Sequence, residues 1–197
     1  MNTSTMLVLI VVILGIAAAV WIYLKKERTK RLRSRFGPEY NRVVQAEGGG
    51  KQAEQVLEER QKRVERLDIK PLSSAERERF AQAWEHEQAR FVDQPRAAVE
   101  HADRLVADAM RARGYPMGDF EQRAADVSVA HPVVVENYRV AHAIALRDRS
   151  EEVSTEELRE AMIQYRALFA DLLHDDGTRP VREEASESRA RAKEAGR

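Results

Sequence analysis

RGYPMGDFEQRAADVSVAHP, residues 113–132, separates two longer stretches in which apolar residues recur at helical spacing. Gly114 suits the position just after a helix, where glycine adopts a left-handed conformation at low cost. Pro116 then prevents the chain from continuing that helix, because proline lacks the backbone N–H that the next turn needs. The first part of the stretch therefore predicts a helix end.

The rest of this stretch predicts a short helix and the start of a longer one. Asp119 is an N-cap candidate, and Gln122 stands three residues further on, which is the spacing of a capping box. Pro132 suits the first turn of the following helix. Since each unusual residue has a structural role available, the pattern favours a joint between helices over a catalytic loop.

The remaining body also has the pattern of helices. Two further capping boxes, Ser73 with Glu76 and Ser154 with Glu157, precede segments with apolar residues on one face. Pro95 suits the first position of another such segment. The large side chains expected to share one core are Phe80, Trp84, Phe91, Leu105 and Phe169. The sequence thus predicts an all-α fold, with a small helical-bundle domain over residues 36–174.

An apolar run precedes this body. Residues 6–24, MLVLIVVILGIAAAVWIYL, carry no charge, and at about 1.5 Å per residue they nearly match a hydrocarbon core of roughly 30 Å. Trp21 and Tyr23 lie near its end, where aromatic rings favour the membrane interface. A cleaved signal peptide is the alternative. Because residues 1–5 hold no basic side chain and the run continues past Ala17–Ala19, an uncleaved transmembrane helix is favoured.

Basic residues follow the apolar run directly. Residues 25–35 contain seven Lys or Arg and one Glu, a net charge of +6, and the rest of the chain therefore sums to −6. The seven are Lys25, Lys26, Arg28, Lys30, Arg31, Arg33 and Arg35. By the positive-inside rule they place the body in the cytoplasm and the short N-terminus, residues 1–5, outside. They can also contact anionic lipid, whereas the acidic body disfavours binding to nucleic acid.

The composition narrows the chemistry further. The chain has no cysteine, which removes disulfides, thiolate metal sites and cysteine nucleophiles. Aromatic residues make up 6 % and charged residues 34 %, a balance that suits amphipathic helices with a thin core. In residues 175–197 the only large apolar residue is Val181, so the sequence predicts a disordered tail.

No motif for catalysis or cofactor binding stands out. GGGK at residues 48–51 lacks the remainder of a phosphate-binding loop, and the sequence contains no GxSxG. His131, Glu136 and His142 could be imagined as a metal triad, but their spacing is not a usual ligand signature. The sequence therefore predicts no catalytic residue, no cofactor and no metal site, and it favours a function that is not enzymatic.

Two segments carry a resemblance to known proteins. Residues 110–142, MRARGYPMGDFEQRAADVSVAHPVVVENYRVAH, and residues 66–84, RLDIKPLSSAERERFAQAW, resemble a family of uncharacterised bacterial single-pass membrane-anchored proteins. The likeness covers roughly residues 32–173, which is the body without the anchor and the tail. Because that family has no established activity, the resemblance implies a bacterial source and no functional residue.

Three functional interpretations remain open. The first is a single-pass protein of the bacterial inner membrane whose cytoplasmic helical domain contacts a protein partner. The second is a membrane-tethered enzyme or small-ligand receptor with a site near residues 113–138, favoured if polar side chains converge there and one has a shifted pKa. Its candidate residues are Tyr115, Asp119, His131, Glu136 and His142. The third places the same body outside the cytoplasm, if the N-terminal segment is processed.

Overall fold

The structure is a computed structural model, and it describes residues 3–148, 150 and 153–174, with side chains from residue 12 onward. All regular secondary structure in these residues is helical, which confirms the predicted all-α fold. The helices of this part of the chain are α1 Thr3–Phe36, α2 Pro38–Glu47, α3 Gly50–Val64, α4 Ser74–Arg90, α5 Pro95–Arg113, α6 Phe120–Val127, α7 Val135–Asp148 and α8 Thr155–His174. The predicted disordered tail, residues 175–197, lies outside the described residues.

The chain divides into two compact units, Met1–Leu57 and Glu58–Arg197. The division falls inside α3, and the helical domain predicted for residues 36–174 includes parts of both units. Each unit has its own set of buried residues, so the two are described separately.

The first unit is built on α1, which continues from Thr3 through the basic residues as one helix. It ends at Phe36, because Gly37 takes a left-handed φ of 47° and Pro38 then occupies the first position of α2. Among the residues that the structure describes, no helix is long and apolar enough to cross a membrane.

A carboxylate joins the three helices of the first unit. The hydroxyls of Thr29 in α1 and Tyr40 in α2 both donate to Oε1 of Glu54 in α3, at 2.6 and 3.3 Å. Glu54 itself is buried. The buried apolar residues of this unit are Leu32, Phe36, Tyr40, Val43, Ala53 and Leu57. The end of α1 is therefore a packed helix of a small helical unit.

The core of the second unit forms where α5 packs on α4 and α8, and α8 packs on α7. Trp84 stacks on Phe169 with 4.8 Å between ring centroids, and Phe80 meets the same ring edge-on at 6.3 Å. These three residues belong to one buried cluster, while Phe91 and Leu105 are half-buried and pack against it. The predicted core is confirmed, with the last two residues at its edge.

Three predicted helix starts of the second unit, those of α4, α5 and α8, are confirmed. Ser73 and Glu76 exchange both bonds of a capping box at the start of α4. Ser154 Oγ accepts from the Glu157 N–H at 3.2 Å, and the Ser154 N–H donates to the Glu157 carboxylate at 3.1 Å. Pro95 is the first residue of α5, as expected.

Residues 113–132, called the joint from here on, connect α5 through the short helix α6 to α7. Gly114 has a φ of 96°, and a Cβ atom at this position would overlap the backbone carbonyl oxygen of Asp68. Glycine is therefore required there both by the left-handed backbone and by the close approach of a second chain segment. The predicted helix end and the predicted short helix are both present.

The capping of α6 differs from the prediction in one respect. Asp119 caps the helix, since its Oδ1 accepts from the Gln122 N–H at 2.8 Å. The reciprocal bond predicted for the Gln122 side chain is wrong, because its Nε2 donates at 3.0 Å to Asp126, one turn further along α6. Asp126 is buried and also pairs with Arg63, so it offers the Gln122 amide a charged acceptor.

The start of α7 also differs from the prediction. The helix begins at Val135 and not at Pro132. The His131 N–H donates to the Val127 carbonyl at 2.8 Å, so a turn continues beyond the end of α6. The first α-type bond toward α7 then runs from the Val135 N–H to the His131 carbonyl. Pro132 therefore lies in a turn between the two helices.

Candidate functional site

Polar side chains converge where α5, α7 and α8 meet. Asp103 of α5 accepts a hydrogen bond from the Tyr165 hydroxyl of α8 at 2.9 Å, and Nδ1 of His142 of α7 lies 3.4 Å from the same oxygen. The side chains of Asp103 and His142 are only 15 % and 12 % exposed. We call Asp103, His142 and Tyr165 the Asp103 cluster.

An aromatic ring from the joint covers the histidine. Phe120, the first residue of α6, stacks on the His142 ring with 3.7 Å between centroids and 7° between planes. Tyr138 lies 4.8 Å from Phe120 and 6.2 Å from Tyr165, centroid to centroid. The joint thus closes one side of the Asp103 cluster with apolar surface.

Opposing effects set the charge of Asp103. Burial raises the pKa of this carboxyl, but hydrogen bonds from His142 and Tyr165, with the charges of His142 and Arg123, outweigh it and hold the pKa below the ordinary value of 3.8. Burial raises the pKa of the Tyr138 hydroxyl, against a smaller opposite effect of Arg123. Near neutral pH, Asp103 is therefore ionised and Tyr138 is neutral.

The geometry of the Asp103 cluster is compatible with a structural role and with a catalytic role. Structurally, one ionised oxygen receives partners from two other helices, and deleting a partner of such a buried group costs about 1–3 kcal/mol. Chemically, a carboxylate beside one imidazole nitrogen is the arrangement in which an acid orients a histidine that acts as a base. In such a role Nε2 of His142 would be the reacting atom.

Sequence reasoning found His142 but missed Asp103. Asp103 stands in α5 beside Ala102, which is fully buried, and three residues before Val106, which is also buried. An acid among positions of a buried stripe needs a partner, and this is the signal that could have identified it.

The other four candidate residues have separate environments. Tyr115 is buried, and Asp119 is the exposed cap of α6. His131 is 4 % exposed, and its Nδ1 lies 2.6 Å from the carboxylate of Asp171. Glu136 is exposed in the first turn of α7. Of these four residues, Tyr115 and His131 are therefore buried, and Asp119 and Glu136 lie at the surface.

In the described residues, no group of three or more His, Asp or Glu side chains is arranged to hold a metal ion. His131 pairs with Asp171, and His142 pairs with Asp103. Each histidine of the imagined triad thus has its own carboxylate partner.

The fold divides the seven basic residues that follow the apolar run. Arg28 and Arg35 are half-buried, and at helical spacing they flank the buried Leu32. The exposed residues are Lys25, Lys26, Lys30, Arg31 and Arg33. Lys25 Nζ lies 5.4 Å from the centre of the Trp21 ring, so the first basic residue contacts the aromatic end of the apolar run.

Comparison of the chain with protein families, with curated proteins and with solved structures found no match. The resemblance to a family of uncharacterised bacterial membrane-anchored proteins therefore stays a prediction.

Proposed function

We propose that the protein is a single-pass protein of the bacterial inner membrane, anchored by residues 6–24, whose helical body is a scaffold for contacts with a protein partner. The observation that carries the anchor is the exposure of apolar side chains on α1. Every side chain from residue 12 to residue 27 is exposed, including Trp21 at 64 % and Leu24 at 60 %. A helix that is apolar on all sides favours lipid surroundings over water.

The sequence around these residues supports the same proposal. Residues 6–24 form 19 consecutive uncharged positions, of which residues 6–11 have side chains outside the described ones. At about 1.5 Å per residue, such a length approaches a hydrocarbon core of roughly 30 Å. Trp21 with Lys25 above its ring is typical of the interface, where aromatic and basic side chains collect.

The charge of residues 25–35 supports the orientation. A net charge of +6 lies on the C-terminal side of the apolar run, and residues 1–5 carry no charged side chain. The positive-inside rule therefore favours a body in the cytoplasm.

Exposed apolar side chains support a protein partner. Val133, Val140 and Leu146, in α7 or just before it, are 71 %, 39 % and 47 % exposed. Val140 and Leu146 lie about 120° apart around α7, so the three side chains are separate apolar positions for a partner to cover, not one continuous patch. Replacing all three by serine should abolish the capture of a crosslinked partner from membranes without lowering the thermal midpoint, and retained capture would refute this assignment.

Two reporters test the anchor and its orientation. Alkaline phosphatase fused after Leu173 should be inactive, and a fluorescent protein at the same point should fluoresce. The matched control adds three lysines within residues 1–5 and replaces the basic residues of 25–35 by glutamine, which should reverse both signals. Active phosphatase on the unmodified chain would place the body outside the cytoplasm. Release of the chain by alkaline carbonate would exclude the anchor.

A membrane-tethered enzyme or small-ligand receptor with a site near the joint is the second candidate function. The Asp103 cluster favours it, because Asp103, His142 and Tyr165 converge and the pKa of the carboxyl is lowered. His142→Gln separates the two functions. If the variant fails to complement a strain that lacks the gene but keeps its thermal midpoint, an enzyme or receptor is favoured. If complementation and thermal midpoint fall together, a structural role is favoured.

A further inference from the structure

We infer that one face of α1, immediately beyond the apolar run, binds the headgroup of an anionic phospholipid. This inference rests on the proposed membrane anchor. The face contains Lys26, Lys30 and Arg33, which are all exposed. Their spacing of four and then three residues puts them on the same side of a helix.

The packing of the first unit leaves this face uncovered. Leu32 and Phe36 are buried at 1 % and 0 % exposure, and they mark the side of α1 that packs within the unit. At about 100° per residue, Lys30 lies roughly opposite Leu32 on the helix. Lys26 and Lys30 therefore lie away from the core of the unit, whereas Arg33 lies at its edge against the Tyr40 ring.

The position along the helix fits a phosphate at the membrane surface. Ile22 precedes Lys26 by one turn on the same face and is 48 % exposed. From Lys26 to Arg33 the helix rises by roughly 10 Å, which exceeds the roughly 5–8 Å of one headgroup region by less than one helical turn. An acyl chain could therefore contact Ile22 while the phosphate of the same lipid meets the cations.

The side chains around this face are partly held in place. Arg33 lies with its guanidinium carbon 5.1 Å from the centre of the Tyr40 ring, and Lys25 lies over Trp21. The Thr29 hydroxyl, between them, donates to Glu54 at 2.6 Å, and its oxygen lies 3.1 Å from the Lys25 carbonyl oxygen. Because the contact with Tyr40 restricts Arg33, less freedom of that side chain is lost when a phosphate binds.

A phospholipid fits this face better than free phosphate, because apolar and cationic side chains follow one another on the same side of α1. Each basic residue near an anionic membrane surface strengthens binding about fivefold. Three such residues predict an enrichment of anionic lipid around the helix that neutral lipid does not show.

Quenching of Trp21 fluorescence by brominated lipids measures this enrichment. The full chain carries Trp84→Phe, so that Trp21 is the remaining tryptophan, and it is reconstituted in phosphatidylcholine vesicles. Brominated phosphatidylglycerol or brominated phosphatidylcholine is then added at increasing mole fraction. Half-maximal quenching should require at least about threefold less brominated phosphatidylglycerol than brominated phosphatidylcholine.

For the variant K26Q/K30Q/R33Q, half-maximal quenching should require the same mole fraction of brominated phosphatidylglycerol and brominated phosphatidylcholine. It retains Lys25, Arg28, Arg31 and Arg35, so the positive charge that sets orientation is reduced but not removed. The matched control R104Q/R111Q/R159Q removes three exposed cations of the second unit, and it should keep the preference of the unmodified chain.

The outcomes distinguish a failure of the headgroup site from a failure of the proposed membrane anchor. Equal quenching by the two lipids, or a preference that the triple variant keeps, would overturn the headgroup site. Loss of the preference in the control would also overturn it, since net charge alone would then explain the effect. Absence of quenching by either lipid would overturn the membrane anchor itself.

Discussion

Replacing Trp84 tests the core of the second unit. This side chain is 6 % exposed, and its ring stacks on Phe169 with 4.8 Å between centroids and 24° between planes. Truncating a buried tryptophan to alanine costs about 3–5 kcal/mol in free energy of unfolding. An aromatic pair contributes about 0.5–1.5 kcal/mol beyond its buried area, so we expect Trp84→Ala to lie in the upper part of that range.

Trp84→Phe is the matched variant. The indole Nε1 of Trp84 is buried, and among the described residues it has no hydrogen-bond partner. A buried donor left unsatisfied costs about 1–3 kcal/mol. Phenylalanine removes this donor and keeps a ring against Phe169. The gain from removing the donor offsets part of the loss from the smaller ring. We therefore expect Trp84→Phe to cost at least about 2 kcal/mol less than Trp84→Ala.

Urea unfolding of a fragment covering residues 58–174, followed by far-ultraviolet circular dichroism, measures both values. A loss below about 0.5 kcal/mol for Trp84→Ala, the usual range of exposed sites, would show that the aromatic stripe does not form the core. Equal costs for the two variants would contradict the reasoning about the unsatisfied donor.

Substitutions at three further positions test the joint and the Asp103 cluster. Gly114→Ala should destabilise the fragment by more than about 1 kcal/mol, because alanine is strained at a φ of 96° and its Cβ would overlap the Asp68 carbonyl; an unchanged urea midpoint would contradict this. Asp119→Ala should cost about 0.5–2 kcal/mol and Asp119→Asn little, since asparagine also caps. Thermal melts measure both. An Asp119→Asn variant that melts normally but fails to complement a strain lacking the gene would make the joint a functional site. Asp103→Asn should be most destabilising above pH 3.8. A lowered pKa in the folded state stabilises the protein above the unfolded value, and this contribution is lost as the pH falls through the folded pKa. Urea midpoints of both proteins at several pH values measure it, and a difference independent of pH would contradict the assignment.

Local signals predicted the starts of α4 and α8 correctly because a capping box is decided within one turn. Ser73 with Glu76 and Ser154 with Glu157 form their bonds from residues three apart. Gly114 was predicted for the same reason, since a helix end requires its backbone conformation. Where the deciding partner is within a few residues, sequence spacing was sufficient.

Local sequence signals could not predict contacts between segments that are distant in the sequence. Gln122 leaves the predicted capping bond for Asp126, and Asp126 is itself fixed by Arg63, which is 63 positions away in the sequence. The Asp103 cluster joins residues 39 and 62 positions apart. No periodicity in one sequence encodes such pairs, so the candidate site was predicted for its histidine and not for the carboxylate.

Glu54 connects the proposed anchor to the body of the first unit. Its Oε1 receives the Thr29 hydroxyl from the basic segment and the Tyr40 hydroxyl from α2. The turn at Gly37 makes both bonds feasible, because α2 then packs on α1 instead of extending from it. A buried carboxylate with two donors is costly to separate from them, so α2 and the start of α3 are held against the segment that follows the apolar run. If residues 6–24 lie in the membrane, these helices lie beside the headgroup region without a flexible linker. Thr29 lies between Lys26 and Arg33 at helical spacing, so Glu54 holds α1 at the edge of the proposed lipid face, where Lys26 and Lys30 are exposed.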